Sequence, residues 1–361
     1  MTARLLVDAA EFCAQLEEDL REARQYVSVQ AMTFEGDAAG RRLADMLLAC
    51  RAPDRRLLVD FYIKYKISDR LVHAPAGLLD RELRHEVRQT GRLIEHLREA
   101  GVQVRFTGAR KFLPGRLLGP DHKKMVVVDD RLAYLGGINF SDHNFAWHDL
   151  MVRLEDGGAA RFLRQDFLDT WEGRGRCASW HGRGIDIHSL DGCSNETAFA
   201  PLLTLLRAAQ REVVVESAYL THPFFGVLRA LRRRGVAVTV ITPRENNRRL
   251  LGDYIRWEAA RCDLDLRLYG GRMLHLKAML IDGCHLVVGS PNFDYLSYRT
   301  QPEVFAVLAD PGLIAEFRQR VIAPDLERCD AAPGPRHAVR GRLVGWSIHA
   351  LGPAVAWLGR G

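Results

Sequence analysis

Two stretches of the chain carry the same pattern: DHKKMVVVDDRLAYLGGINFSDHNF at 121–145 and LHLKAMLIDGCHLVVGSPNFDYLSY at 274–298. Their identical residues share one offset of 153 positions: His122/His275, Lys124/Lys277, Asp129/Asp282, Gly136/Gly289, Asn139/Asn292 and Phe140/Phe293. A weaker match upstream joins Tyr26–Phe34 to Glu212–Leu220, and in both places a helical pattern and an apolar strand follow. The chain therefore consists of two related halves.

The composition of the 361 residues, 47% hydrophobic and 27% charged, excludes a disordered chain. An uninterrupted apolar run of about 18 residues is missing, so we expect no membrane-spanning helix. The first ten residues include Asp8 and lack a long apolar core, which argues against a signal peptide. Seven cysteines without a CxxC pair favour a reducing compartment. The net charge of +6 suits an anionic partner.

Strand and helix patterns alternate along both halves and predict an α/β fold with mixed sheets between helical layers. We predict a first half at 1–171, a linker at 172–200, a second half at 201–330 and a tail at 331–361. The first half is expected to contain a helix over Asp80–Ala100. The linker is expected to lack regular structure because it is rich in Gly, Arg, Ser and His.

The repeated motif, H-x-K-x4-D followed by G-[GS]-x-N, places an imidazole and an ammonium close together. Residues two apart on a strand share a face, so His122 points with Lys124, and His275 with Lys277. The small residues after each hairpin bring backbone N–H groups and amide side chains towards the histidines. The candidate substrate-binding residues are Gly137, Asn139, Ser290 and Asn292.

Two such sets around one pocket suit a phosphodiester. Lysines and amides would bind its oxygens, one histidine would attack phosphorus, and the other would protonate the departing alcohol. This chemistry requires no metal or other cofactor. The aspartates, Asp129 and Asp282, are expected either to orient the neighbouring imidazole and ammonium or to cap a turn. Chance would supply only about 0.2 HxK pairs in a chain of this composition.

The twin HxKxxxxD motifs with GGINF and GSPNF resemble the phospholipase D superfamily. The resemblance implies a phosphohistidine intermediate and a duplicated fold of two α/β/α sandwich halves with the active site at their interface. Its catalytic roles carry over to His122, Lys124, Asp129, His275, Lys277 and Asp282. Likeness to members in which the first-half histidine is the nucleophile favours His122 for that role.

Thr33–Leu48, Lys123–Ser141 and Val287–Leu296 resemble bacterial cardiolipin synthases of the short type without N-terminal transmembrane helices. His148-Asp149 and the sequence RTQPE at 299–303 add to the likeness, although the family more often has Asn-x-Glu in place of the last three residues. The resemblance implies transfer of a phosphatidyl group between phospholipids, commonly phosphatidylglycerol, and no nucleic acid partner. A phospholipase D that uses water, or a nuclease of the superfamily, are the alternatives.

The apolar segment Leu343–Leu358 follows a basic stretch and contains Trp346 and Trp357. It is too short to span a bilayer and is expected either to lie in the headgroup region of an anionic membrane or to dock as a helix on the body. The first alternative predicts a peripheral protein on the cytoplasmic face of the bacterial inner membrane. The basic and apolar stretch Ala109–Gly119 is expected either to contact lipid or to pack as an ordinary loop.

Overall fold

The computed structural model describes residues 2–109, 117–332 and 338–360, and the side chains of residues 338 and 360 are not described. The stretch expected to contact lipid, 109–119, therefore lies mostly outside the described residues. The strands are β1 Thr2–Val7, β2 Tyr26–Ala31, β3 Asp54–Asp60, β4 Lys66–Ile67, β5 Arg70–Leu71, β6 Gln103–Thr107, β7 Met125–Val128, β8 Leu132–Gly136, β9 Leu150–Glu155, β10 Ala178–Gly182, β11 Ile185–Asp191, β12 Glu212–Ser217, β13 Ala237–Pro243, β14 Asp265–Tyr269, β15 Lys277–Ile281, β16 His285–Gly289, β17 Pro302–Leu308 and β18 Cys329–Ala331.

The helices alternate with these strands, as the sequence predicts for an α/β fold. They are α1 Asp8–Glu22, α2 Ala38–Ala49, α3 Pro75–Leu79, α4 Arg81–Glu99, α5 Asp142–Phe145, α6 Gly157–Trp171, α7 Asn195–Arg207, α8 Phe224–Arg233, α9 Arg249–Arg261, α10 Tyr295–Arg299, α11 Pro311–Phe317, α12 Ala323–Glu327 and α13 Ala338–Arg360, with a 3-10 turn at Phe61–Lys64 and a π-helical turn at Arg318–Ile322.

Two sheets repeat the same core arrangement of strands. The first has the order β1-β9-β8-β7-β2-β3-β6, and the second has the order β10-β11-β17-β16-β15-β12-β13-β14-β18. In both, three consecutive strands are parallel (β2-β3-β6 and β12-β13-β14) and a hairpin pairs antiparallel with the first of them. The duplicated α/β fold expected from the sequence is thereby confirmed.

The two sheets share one hydrophobic core, which is built from residues of both halves. Met125 of β7 and Phe167 of α6 belong to the same buried cluster as Leu280 of β15 and Phe317 of α11. Each sheet also has a separate hydrophobic cluster on its outer face. This cluster lies beneath α1 and α2 in the first half and beneath α7, α8 and α9 in the second. Because the central strands are covered on both faces, β7 and β15 are buried and continuously apolar, apart from Lys277.

The helix predicted over Asp80–Ala100 is present as α4. Its N-terminus is capped by the Asp80 carboxylate, which accepts a hydrogen bond from the Leu83 amide at 3.0 Å. Leu83, Ile94 and Leu97 form its buried face. The helix ends before Gly101, whose φ of +82° is the left-handed conformation that glycine adopts without a steric penalty.

The expectation of an irregular linker at 172–200 is wrong, because this stretch contains β10, β11 and the start of α7. Strand β11 pairs antiparallel with β17, and its residues Ile185 and Ile187 are buried in the shared core. Helix α7 begins at Asn195, inside the predicted linker, and holds Pro201 within it. The apolar alternation of β11 is short and flanked by glycines, which concealed it in the sequence. The division into halves at the stated boundaries stays a prediction.

The two motif aspartates lie in the tight turns that follow β7 and β15. The carboxylate of Asp129 accepts hydrogen bonds from the backbone N–H groups of residues 24, 25 and 26, at 3.1, 2.9 and 3.0 Å. The carboxylate of Asp282 does the same for residues 210, 211 and 212. Both aspartates have a φ of 51°. Each clamps the hairpin to the start of the parallel strand beside it, β2 for Asp129 and β12 for Asp282, which is the turn-capping alternative left open by the sequence.

We expect Asp282→Ala to lower the free energy of unfolding by about 2 kcal/mol, because three amide partners are lost at a strained backbone position. Asp282→Asn should cost less, since asparagine tolerates the left-handed region and keeps one acceptor oxygen. Urea unfolding measures the change. Asp265→Ala, which removes an exposed carboxylate, is the control and should change stability by less than about 0.5 kcal/mol. An unchanged unfolding midpoint for Asp282→Ala would contradict the clamp.

Candidate active site

The two motif histidines line one cavity at the boundary between the halves. His122 lies just before β7 and His275 just before β15, and both contribute to the cavity wall. Each backbone is hydrogen-bonded by the opposite half: the His122 N–H donates to the Pro302 carbonyl at 2.9 Å, and the His275 N–H donates to the His148 carbonyl at 2.7 Å. The structure therefore brings the two imidazoles to a common site.

Each imidazole is held by a carboxylate from the other half. Nδ1 of His122 lies 3.0 Å from the carboxylate of Glu303, and Nδ1 of His275 lies 2.6 Å from that of Asp149. Both carboxylates are buried. An Nδ1–H that donates to a carboxylate fixes the tautomer and leaves the Nε2 lone pair of the ring available to a substrate.

Burial keeps both imidazoles neutral. Loss of solvent lowers the pKa of His122 to about 4 against the opposing attraction of Glu303. Loss of solvent and the Lys277 charge lower the pKa of His275 to about 3. The two carboxylates behave in the opposite way: burial alone would raise the pKa of Asp149 and of Glu303, but the neighbouring cations and imidazoles outweigh it and lower both values. The carboxylates thus remain charged while the histidines remain free bases.

The two motif lysines are buried next to the histidines. Nζ of Lys124 donates to the His122 carbonyl at 2.7 Å. Nζ of Lys277 lies 3.0 Å from Nε2 of His275 and 3.7 Å from the Asp149 carboxylate. Burial lowers the pKa of Lys124 to about 7 and that of Lys277 to about 8. A buried ammonium attracts an anion more strongly than an exposed one does.

Both motif asparagines also line the cavity. Oδ1 of Asn139 accepts a hydrogen bond from the Thr33 N–H at 3.1 Å, which leaves its amide NH2 group free to face the cavity. Oδ1 of Asn292 is buried and meets no hydrogen-bond donor among the described residues. The imidazole of His275 is flanked by Trp147 and Tyr219, with ring centroids at 4.7 and 5.9 Å. These amides and the imidazoles together form a polar pocket that would accept phosphoryl oxygens.

The structure does not bring six of the predicted site residues to the cavity wall: Lys124 and Lys277 are buried next to the histidines, and the other four have different roles. Asp129 and Asp282 lie at the far ends of β7 and β15, because a four- or five-residue strand separates them from the histidines. A side chain at Gly137 would collide with the Asp149 carboxylate, so this glycine gives that group room. Ser290 is fully buried and its hydroxyl donates to Glu303. Their contacts support the turns and the carboxylates rather than a bound substrate.

Glu303 and Asp149 received no role in the sequence analysis, although both lie in quoted segments. The signal was present in the repeat: each acid lies where the next strand after the Gly-Asn tail begins, at β9 in the first half and at β17 in the second. Register confirms the equivalence, since Gly136 pairs with Met151 and Gly289 pairs with Phe305. What the sequence could not reveal is that each acid serves the opposite half.

The duplicated fold and the paired imidazoles at its centre define a member of the phospholipase D superfamily, which confirms the resemblance. More particularly, the chain belongs to the family described as "Cardiolipin synthase, PLD-like domain", whose family model matches residues 16–171 and 202–323. It is 26% identical to cardiolipin synthase A of Pseudomonas aeruginosa over 93% of this chain and 69% of that protein. It is also 26% identical to cardiolipin synthase B of Salmonella typhimurium, over 92% of this chain and 83% of that protein.

Solved structures show the same fold at low identity. Phosphatidylserine synthase of Haemophilus influenzae superposes with a TM-score of 0.72 at 14% identity, over 99% of this chain and 94% of that chain. Polyphosphate kinase of Porphyromonas gingivalis matches with a TM-score of 0.59 at 12% identity, over 96% of this chain and 53% of that chain. The family model and the related cardiolipin synthases together show that the chain is an enzyme of the phospholipase D superfamily, of the cardiolipin synthase type.

We predict that Glu303→Gln lowers kcat by on the order of 100-fold, because the His122 ring loses its orienting charge. The acidic limb of the pH profile of kcat/KM should also move to lower pH, since the Glu303 charge raises the pKa of His122. Asp149→Asn should likewise lower the pKa of His275, because the Asp149 charge raises it. The matched control is Glu258→Gln, a buried carboxylate that pairs with Arg261. A lowered kcat without any movement of the limb would reject the positioning role.

Proposed function

We propose that the protein is a phosphatidyltransferase that forms cardiolipin from phosphatidylglycerol or a related phospholipid donor through a phosphohistidine intermediate. The observation that carries this proposal is the pair of neutral imidazoles on one cavity wall, each with Nδ1 bound to a carboxylate; Nε2 of His122 is left available, and Nε2 of His275 lies 3.0 Å from the Lys277 ammonium. Such a pair supplies a nucleophile and a proton carrier to a single phosphorus atom. Membership in the cardiolipin synthase family supports a phospholipid as the substrate.

In the first step, Nε2 of His122 attacks phosphorus and the bond from phosphorus to the headgroup glycerol oxygen breaks. The His275 imidazolium gives its proton to that oxygen, and glycerol leaves. Before substrate binds, burial keeps His275 as the free base. Once the phosphodiester is bound, its negative charge and the Asp149 carboxylate favour the His275 imidazolium. Lys124 and Lys277 stabilise the negative charge that grows on the phosphoryl oxygens.

In the second step, a hydroxyl of another phosphatidylglycerol attacks the phosphohistidine. His275 accepts the hydroxyl proton, the bond from phosphorus to His122 breaks, and cardiolipin is released. The same geometry would transfer the group to water if water reached phosphorus. The cavity is lined by Trp147, Tyr219 and Leu296 beside its polar groups, and these side chains limit the room for solvent around the acceptor.

Incubation with vesicles of phosphatidylglycerol tests the proposal by lipid analysis. We expect cardiolipin and an equal amount of free glycerol. Phosphatidic acid as the sole product would instead support hydrolysis, and turnover of nucleic acid without turnover of lipid would support a nuclease. His122→Ala and His275→Ala should each reduce turnover by on the order of 1,000-fold or more.

The control for these variants is His285→Ala, which removes a half-buried histidine of β16. It should leave the rate within about twofold of the native value. A radiolabelled donor should leave acid-labile phosphate on the protein in the native chain and not in His122→Ala. Near-normal rates in either motif variant would reject the two-histidine mechanism.

We further propose that the outer face of α13 contacts an anionic membrane surface. Trp346 and Trp357 are 66% and 75% exposed, and Val339 and Leu343 continue the same stripe of the helix. The opposite side of α13 packs on α9, so the helix is docked on the body and still presents an apolar face. No helix in the described parts of the chain is long and apolar enough to cross a membrane.

The double substitution Trp346→Ser with Trp357→Ser should reduce recovery on anionic vesicles by about tenfold or more, because two indole rings no longer enter the interface. Co-sedimentation measures the bound fraction, and hydrolysis of a soluble phosphodiester should be unchanged. Leu79→Ser removes an equally exposed apolar side chain from the first half and serves as the control. If the double variant sediments like the native protein, α13 does not bind the membrane.

A further inference from the structure

An apolar groove of about 300 Å³ runs between α13 and the body of the second half. Its inner wall is formed by Leu251 of α9 and by Tyr295 and Leu296 of α10, and its outer wall by one side of α13. The residues that α13 contributes are Val344, Ser347, Ile348, Leu351, Gly352 and Val355. They cover about 16 Å of helix, so the groove is long and narrow. Its volume is within the range of small-molecule sites.

The groove adjoins the catalytic cavity. Arg248, Asp294 and Leu296 line both spaces, so one set of side chains forms the wall between them. A molecule whose phosphate reaches the histidines could therefore extend an attached chain into the groove. Arg248 stands at the junction with its guanidinium over the Tyr219 ring, at 4.7 Å from the centroid. The junction is charged, whereas the groove beyond it is lined mainly by aliphatic and aromatic carbon.

Helix α13 packs closely against the body at three of its glycines, and these contacts set the width of the groove. A side chain added at Gly345 would come within 3.0 Å of Tyr254 and Trp257, and one added at Gly359 would come within 3.0 Å of Thr300. At Gly352 the helix approaches the Tyr295 ring equally closely. The helix is thus held against the body near these glycines, one of which, Gly352, also lines the groove. Helix α13 lies beyond the residues that the family model matches.

We propose that this groove binds one acyl chain of the phospholipid whose phosphate occupies the catalytic cavity. The inference rests on the proposed phosphatidyl transfer and deepens it by naming where the lipid tail lies. Three observations favour this occupant over a protein segment: the walls shared with the cavity, the apolar lining, and Leu351. Leu351 lines the groove, is 54% exposed, and lies on the helix that bears the two exposed tryptophans. The groove thus opens beside the surface from which a lipid would enter.

The test compares the binding of phosphatidylglycerols from dibutanoyl to dioctanoyl, as monomers below their micelle concentrations. Calorimetry gives the Kd in a His122→Ala background, so that no turnover intervenes. We expect the Kd to fall by up to about fourfold for each methylene of the chain that enters the groove. Ser347→Phe fills the groove and should remove this dependence on chain length. Among the described residues, the native Ser347 hydroxyl hydrogen-bonds to the Leu343 carbonyl of its own helix, so the substitution breaks no described hydrogen bond to the body.

The matched control is Ala350→Phe, which adds the same ring to the exposed side of α13 and should keep the chain-length dependence. Equal Kd values for the dibutanoyl lipid in all three proteins show that the variants are folded. The groove proposal would be overturned if the Kd of the protein without Ser347→Phe did not depend on chain length. It would also be overturned if the Kd of the Ser347→Phe variant still depended on chain length. Turnover of the same lipids by proteins that retain His122 reports on phosphatidyl transfer separately, so the two proposals can fail independently.

Discussion

The exchange of carboxylates between the halves is the interaction on which the site depends. Glu303 of the second half holds His122 of the first, and Asp149 of the first half holds His275 of the second. A buried carboxylate without its partner is costly, because it has lost water and gained nothing in return. Any movement that separates the halves would break both hydrogen bonds between a carboxylate and an imidazole. The shared core between the two sheets prevents that movement.

Burial acts on the lysines and on the histidines of the site before a substrate arrives. It lowers the pKa of Lys124 to about 7 and that of Lys277 to about 8, and it is the largest cause of the low pKa values of the two histidines, which stay neutral beside two charged carboxylates. A phosphodiester adds one negative charge next to these groups and favours protonation of one imidazole. The site would therefore gain its proton carrier together with its substrate, which links binding to the proposed chemistry.

Much of the architecture was predictable, because the chain contains the same pattern twice. The repeat at a constant offset identified the halves, both histidines and both lysines, and the helix expected over Asp80–Ala100 is present as α4. The missed elements have physical reasons: β11 is a short alternation among glycines, and its burial comes from pairing with β17, which lies more than a hundred residues later. The roles of Glu303 and Asp149 could not be read either. A motif records what lies near in the sequence, whereas these contacts cross from one half to the other.

The two orienting acids are not the same residue, and this difference has an evolutionary consequence. Glu303 is one methylene longer than Asp149 and also accepts hydrogen bonds from Ser290 and Ser297, whereas Asp149 lies against Gly137. Two identical subunits around a symmetry axis would have to carry matching acids in both places. Fusion of the copies into one polypeptide releases that restriction, so each imidazole can be tuned by its own mutations. The ancestral symmetry could thereby give way to a division of labour between attack and proton delivery.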